Sequence, residues 1–209
     1  MHFQIKNGRH TNVELFQHEK GKRKERLLVK KWTTIQSSYL YKTPFGNLRE
    51  DICKLPNGYV IDGYHVNEFV DWVNAVVITK EQEVVLVKQY RYAADEFFLE
   101  VPAGAAEEGE KLEDAIAREV KEETGYVSDT KPQLLGSFFV NPAVQNNRVS
   151  TYLIQNAYQK FEQDLDKTEE IEIHHISVKE MENLINEGTL NHLFSVNAFL
   201  LAKSKLDLI

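Results

Sequence analysis

The sequence predicts an α/β (α+β) sandwich built on a mixed sheet. Short β-branched and aromatic runs stand on both sides of one well-formed helix, and turn residues rather than long linkers join them. Neither an internal repeat nor a low-complexity tract interrupts the chain. From Trp32 to Asp51, Thr33, Ile35, Tyr39 and Tyr41 followed by Pro44-Phe45-Gly46-Asn47 indicate strands joined by a turn. Leu55-Pro56-Asn57-Gly58 marks a second turn, because Asn-Gly readily adopts positive φ. Trp72–Thr79 and Val84–Arg91 are two clear strands, and Phe97–Val101 is a third, halted by Pro102. A helix is expected over Glu110–Thr124, between Gly109 and a C-terminal Gly125. Strands follow at Leu134–Val140 and Val149–Ile154, then a polar loop over 155–170, and an alternating strand over Ile171–Ile176. Two helices close the chain, near Lys179–Asn186 and Asn191–Leu206.

The central helix carries the chemistry. At 100° per residue, Leu112, Ala115, Ile116 and Val120 share one arc, and Glu119 and Glu123 fall in the middle of it, one turn apart. Burying ionised carboxylates costs several kcal/mol each unless something compensates. Lys121 points the other way, and on the wheel Arg118 comfortably reaches only Glu122. Paired carboxylate oxygens on a rigid element suit a hard divalent cation; a wholly solvent-facing acidic helix is the alternative that the angles leave open.

The literal pattern narrows this. Gly104, five residues, Glu110, seven residues and then Arg118-Glu119-Val120-Lys121-Glu122-Glu123-Thr124-Gly125-Tyr126 resembles the signature of the Nudix hydrolases at nine positions over 23 residues. The resemblance implies a Nudix-type α/β/α sandwich and cleavage of a nucleoside diphosphate linked to a further group. By the same resemblance Glu119 and Glu123 bind metal, Glu122 is a ligand or proton acceptor, Arg118 orients the cluster, and Glu110 is structural. Val87–Arg91 and Leu99–Gly104 look like segments of the ADP-ribose pyrophosphatase branch, in which the residue matching Ala103 offers a backbone carbonyl to the metal. Arg91 would then meet substrate phosphate or ribose, with Glu100 and Pro142 also on the substrate side. Where that branch has Ser-Pro-Gly, this chain has Asn141-Pro142-Ala143. Glu169, in Lys167–Ile173, matches the glutamate that completes the metal site or activates water, with Glu170 next in register.

The resemblance implies Mg2+ as cofactor, with Mn2+ as an alternative, and a nucleotide sugar as substrate: ADP-ribose first, GDP-mannose second. A nucleotide-sugar sensor without turnover is the alternative from another class. A division into 1–58, a β-rich arm and dimerisation region, and 59–209, the hydrolase domain, is expected, as is a homodimer. Trp32, Tyr39 and Tyr41 could stack on a base or pack at an interface. His174 and His175 adjoin on a strand, face opposite ways and cannot share one metal. Arg148 is expected as an exposed loop arginine.

Composition sets the outer bounds. Apolar residues make up 42% and charged residues 27% of 209, as in a globular protein. No apolar run approaches the roughly 18 residues of a membrane span. The start, Met1–Lys6, lacks a signal-peptide core, and Cys53 is the only cysteine, so a cytoplasmic protein is expected. Residues 1–49 hold 11 Lys/Arg against 3 Asp/Glu, and the remainder 14 against 29. The basic run Lys22–Arg26 lacks interleaved aromatics, so it predicts a solvated arm against an acidic body rather than a nucleic-acid or membrane site.

Overall fold

A computed structural model of the chain describes residues 29–206, so the basic run Lys22–Arg26 lies outside them. Strands β1 (Thr33–Thr43), β2 (Gly46–Lys54) and β3 (Val60–Glu68) form an antiparallel sheet in the order β1-β2-β3. The two expected turns lie at Pro44-Phe45 and Leu55–Gly58, where Gly58 has φ +90° and its N–H donates to Leu55 O at 2.9 Å. Strand β3 is absent from the sequence-based expectation because Asp62, Gly63, His65 and Asn67 interrupt its apolar alternation.

The second sheet has eight strands: β4 (Trp72–Thr79), β5 (Glu83–Arg91), β6 (Glu96–Glu100), β7 (Ala103–Ala105), β8 (Tyr126–Val127), β9 (Gln133–Phe139), β10 (Arg148–Gln159) and β11 (Ile171–Ser177). Its backbone order is β11-β5-β4-β10-β8, with β6 on β5, β7 on β4 and β9 on β10. Only β4 and β10 pair in parallel, so the sheet is mixed. Strands β4 and β5 are Val/Ile-rich and buried on both faces, which places them at the centre. Val73, Ala75 and Val77 pack beneath α1 (Leu112–Thr124) with Ala115, Ile116 and Val120. Val76 and Ile78 point the other way, into a core with Met181 of α2 (Val178–Asn186) and Ala198, Phe199 and Ala202 of α3 (Leu193–Leu206). The result is the expected α/β/α sandwich with a β-rich N-terminal sheet beside it.

The segment 155–170, expected to be a loop throughout, is a strand as far as Gln159. A bulge with Asn156 at φ +55° lets β10 continue past its polar residues and pair with β8. The remaining loop is stapled to the end of α1: Lys160 and Phe161 N–H both donate to Gly125 O, at 3.0 and 3.1 Å. Gly125 itself is left-handed (φ +72°), and a Cβ there would overlap the Phe161 carbonyl oxygen. Gly188 has a similar φ of +76° but open space around it. Gly125→Ala should therefore lower Tm more than Gly188→Ala, since the second substitution costs only about 1 kcal/mol of backbone preference. Equal losses on thermal melting would contradict the packing role.

Candidate active site

The site forms where α1 faces β7. Glu119 and Glu123 lie one helical turn apart on the side turned to the sheet, and Glu123 is only 5% exposed. Glu123 Oε2 accepts a hydrogen bond from Ala103 N at 3.1 Å. Next to it, Gly104 lies so close to Glu119 that a Cβ would overlap the carboxylate. Glycine at this position is thus a matter of space, and the three-residue strand β7, paired with β4, holds it there. Ile116 and Val120, buried in the same face, each supply about 1.5–3 kcal/mol of apolar burial, which offsets the cost of carrying the carboxylates inward.

Arg118 is the hub of the carboxylate array. Its Nε and Nη2 donate to the two oxygens of Glu110, both at 3.0 Å; Nη2 also reaches Ala105 O at 3.0 Å. Nη1 meets both Glu119 and Glu122 at 2.9 Å. The wheel limited Arg118 to Glu122; the structure corrects this, because the long side chain folds along the helix and reaches neighbours on either side. Glu110, held below the usual carboxylate range by Arg118, also caps Glu107 N at 2.9 Å, which fits a structural residue.

Arg91, at the end of β5, makes a paired bond to Glu100: Nε to Oε1 and Nη2 to Oε2, both 2.8 Å. Arg91 also feels the charges of Glu123 and Glu169, so these three side chains share one electrostatic neighbourhood. Glu169 lies at the end of the loop before β11 and likewise acts on Glu119 and Glu123. Its carboxylate accepts Asp166 N at 3.1 Å, closing a small turn. Pro142 is exposed in a turn docked on β3, through Asn67 N to Val144 O at 2.8 Å and Tyr64 OH to Ala143 O. These bonds tie the turn to the N-terminal sheet.

A cleft of about 740 Å³ runs from Ala105 of β7 along the junction of the two sheets. Phe45, Phe69, Trp72 and Phe194 line it, with Asn147, whose buried Oδ1 has no partner among the described residues. The sequence reading missed these residues and weighed Trp32, Tyr39 and Tyr41 instead. Trp32 makes an edge contact with Tyr64 (5.9 Å) and Tyr39 lies under Lys42, while Trp32, Tyr39 and Tyr41 all stay exposed. The signal was available at Phe45, since an apolar ring in a Pro-Phe-Gly turn has no core to enter. His174 and His175 contact different groups, Glu172 at 3.2 Å and Tyr126 OH at 2.8 Å. Arg148 is not the expected loop residue: it begins β10, donating to Ser137 Oγ and O at 3.0 and 2.8 Å while lying over Phe139.

Burial pushes Glu123 up to about 8, helped by the charges of Glu119 and Glu169, and Glu119 is raised chiefly by burial too. A protein-only site that disfavours its own carboxylates in this way has room for positive charge. Among the described residues no three His, Cys, Asp or Glu side chains already converge as a metal cluster. The donor set nonetheless fits a hard cation, as two carboxylates beside a backbone that only Gly104 allows so close.

A pH dependence follows. Without metal, folded Glu123 keeps its proton to about pH 8, whereas its ordinary value is 4.5. Between those values the folded chain binds more protons than the unfolded one, so stability falls as pH rises through the window. Tm measured in EDTA should drop from pH 5 to pH 9 more steeply for the wild type than for Glu123→Gln. Adding Mg2+ or Mn2+ should restore the wild type at the alkaline end. Parallel profiles for the two proteins would contradict the assignment.

Comparison with known proteins bears on the family and the fold. The NUDIX domain family model matches residues 70–193, and the nucleoside diphosphate sugar hydrolase N-terminal domain model matches residues 32–67. The chain is 28% identical over 155 residues to a methanol dehydrogenase activator of Bacillus methanolicus, covering 74% of this chain and 83% of that one. It is 26% identical over 153 residues to an ADP-ribose pyrophosphatase of Bacillus subtilis, covering 73% and 82%. A solved ADP compounds hydrolase superposes with a TM-score of 0.76 at 19% identity, covering 86% of this chain and 96% of that one, which is a likeness of fold. The signature on α1, the sandwich around it and the match over most of the second sheet lead to one conclusion: the chain belongs to the Nudix family and is a Nudix hydrolase.

Proposed function

We propose that the chain hydrolyses the pyrophosphate bond of a nucleoside diphosphate sugar, ADP-ribose before GDP-mannose, giving AMP and ribose 5-phosphate from the former. The observation that carries this reading is the pair Glu119 and Glu123, turned inward beside Gly104 with Arg91 in the same electrostatic neighbourhood. The match of residues 32–67 and the name of the Bacillus subtilis relative support the choice of substrate. Glu119, Glu123 and the Ala103 carbonyl would hold Mg2+ or, alternatively, Mn2+. That cation would neutralise charge on the diphosphate and acidify the attacking water.

The chain's own groups do the rest. Glu169 takes the water proton after leaving its turn with Asp166, and it can equally complete the cation site. Glu122 is the second candidate base, but it must first part from Arg118. Arg91 presents its free edge to the diphosphate while Glu100 holds the other edge. The aromatic cleft takes the base, with the Pro142 turn as part of its rim. We further read the exposed strand β1, where Ile35, Tyr39, Leu40 and Tyr41 are open, as a homodimer surface, and the N-terminal region up to residue 58 as the dimerisation arm, to which β3 adds a third paired strand. A cytoplasmic setting accords with this substrate; among the described residues no helix is long and apolar enough to cross a membrane.

Glu123→Gln should reduce metal-dependent AMP release from ADP-ribose by at least about a hundredfold while circular dichroism stays unchanged. Undiminished release would sink the proposal. A panel of nucleotide sugars and dinucleoside polyphosphates, with Mg2+ or Mn2+, identifies the substrate. Inactivity across the whole panel would favour the sensor.

A further inference from the structure

Glu100 is the most deeply buried charged residue near the site, 1% exposed, and Arg91 alone accounts for only one side of it. On its other side stands the start of α3. His192 Nδ1 lies 3.4 Å from Glu100 Oε2 and 2.9 Å from Ser195 Oγ. Ser195 is fully buried, and its hydroxyl also accepts Val101 N at 3.0 Å, so it grips the residue that follows Glu100. Phe98 and Phe194 enclose the imidazole edge-on, at 6.1 and 5.5 Å between ring centres. Burial keeps His192 below the ordinary imidazole range. The ring stands within 3.4 Å of the carboxylate and is itself hydrogen-bonded to Ser195.

We propose that His192 and Ser195 are positioning residues for substrate binding: they fix the rotation of the Glu100 carboxylate, and through it the plane of the Arg91 guanidinium. The inference rests on the reading of Arg91 as a diphosphate contact. A carboxylate held by one partner can swivel about its own bond and take the guanidinium with it. Held also from α3, it presents Arg91 in one orientation, with Nη1 left without a hydrogen-bond partner among the described residues and free for a phosphate oxygen. Phe194, next but one along the chain from His192, lines the aromatic cleft. The start of α3 thus borders both the charged and the aromatic part of the site. No local sequence pattern joins His192 to Glu100; the fold alone brings them together.

The test uses steady-state kinetics on whichever nucleotide sugar the wild type turns over fastest. His192→Leu and Ser195→Ala should raise KM roughly tenfold with kcat within about twofold, as expected when a contact is misoriented rather than the chemistry altered. His192→Asn, whose amide nitrogen can stand where Nδ1 stands, should keep KM within about twofold of wild type. Phe199→Leu, which loosens α3 in the core without touching this network, should lower Tm and leave KM unchanged. The double variant of Arg91→Ala with His192→Leu should be no worse than Arg91→Ala alone, since both remove the same contact. If Arg91→Ala raises KM while His192→Leu and Ser195→Ala change only Tm, the positioning role is wrong and the substrate reading stands. If Arg91→Ala leaves KM unchanged, the substrate reading of Arg91 fails and takes this inference with it.

Discussion

The close approach of β7 to α1 is the constraint on which the site depends. Glu119 and Glu123 can share the inner face of a helix only because the strand opposite offers Gly104, without a side chain, and Ala103 N, with a free donor. Apolar burial of Ile116, Val120 and Ala115 holds the helix down; the glutamates sit where that burial leaves them, not where they would be best solvated. Arg118 then shares its five N–H donors among Glu110, Glu119, Glu122 and Ala105 O, locking the outer rim of the same array. Stability and function pull in opposite directions here. Burial raises Glu123, the mark of a carboxylate held where its charged form is disfavoured.

The two sheets divide the work. The mixed sheet places polar groups of the site on its strand ends: Arg91 at the end of β5, Glu100 at the end of β6, and the backbone of Ala103 and Gly104 on β7, facing the glutamates of α1. The N-terminal sheet contributes the apolar side of the cleft through Phe45, near the turn between β1 and β2, and Phe69, just after β3. The Pro142 turn bridges the two, bonded to β3 while flanked by cleft residues Val140 and Gln145. A charged end thus lies beside an aromatic one.

What the sequence made legible follows from how local each signal is. The helix, its two inward glutamates and its glycine stop are written within 23 consecutive residues and could be placed before any coordinates. Strands β4 and β5 were equally plain, because a strand buried on both faces must be a Val/Ile run. By contrast β7 is Ala-Gly-Ala, with no propensity to announce it, and β3 hides behind alternating polar residues. The loop expected from Gln155 became strand because pairing with β8 outweighed polar composition. Contacts between distant segments were the least legible: His192 and Ser195 against Glu100, or Asn147 and Phe194 in the cleft. Nothing in the local sequence around either partner names the other.

The most direct measurement of the central claim is anomalous diffraction from crystals soaked in Mn2+ together with a non-hydrolysable ADP-ribose analogue. A manganese peak is expected between Glu119 and Glu123, within coordination distance of a carboxylate oxygen of each, with the diphosphate in contact with both the ion and Arg91. Manganese bound elsewhere, with the two helix glutamates uncoordinated while the analogue is in place, would contradict it.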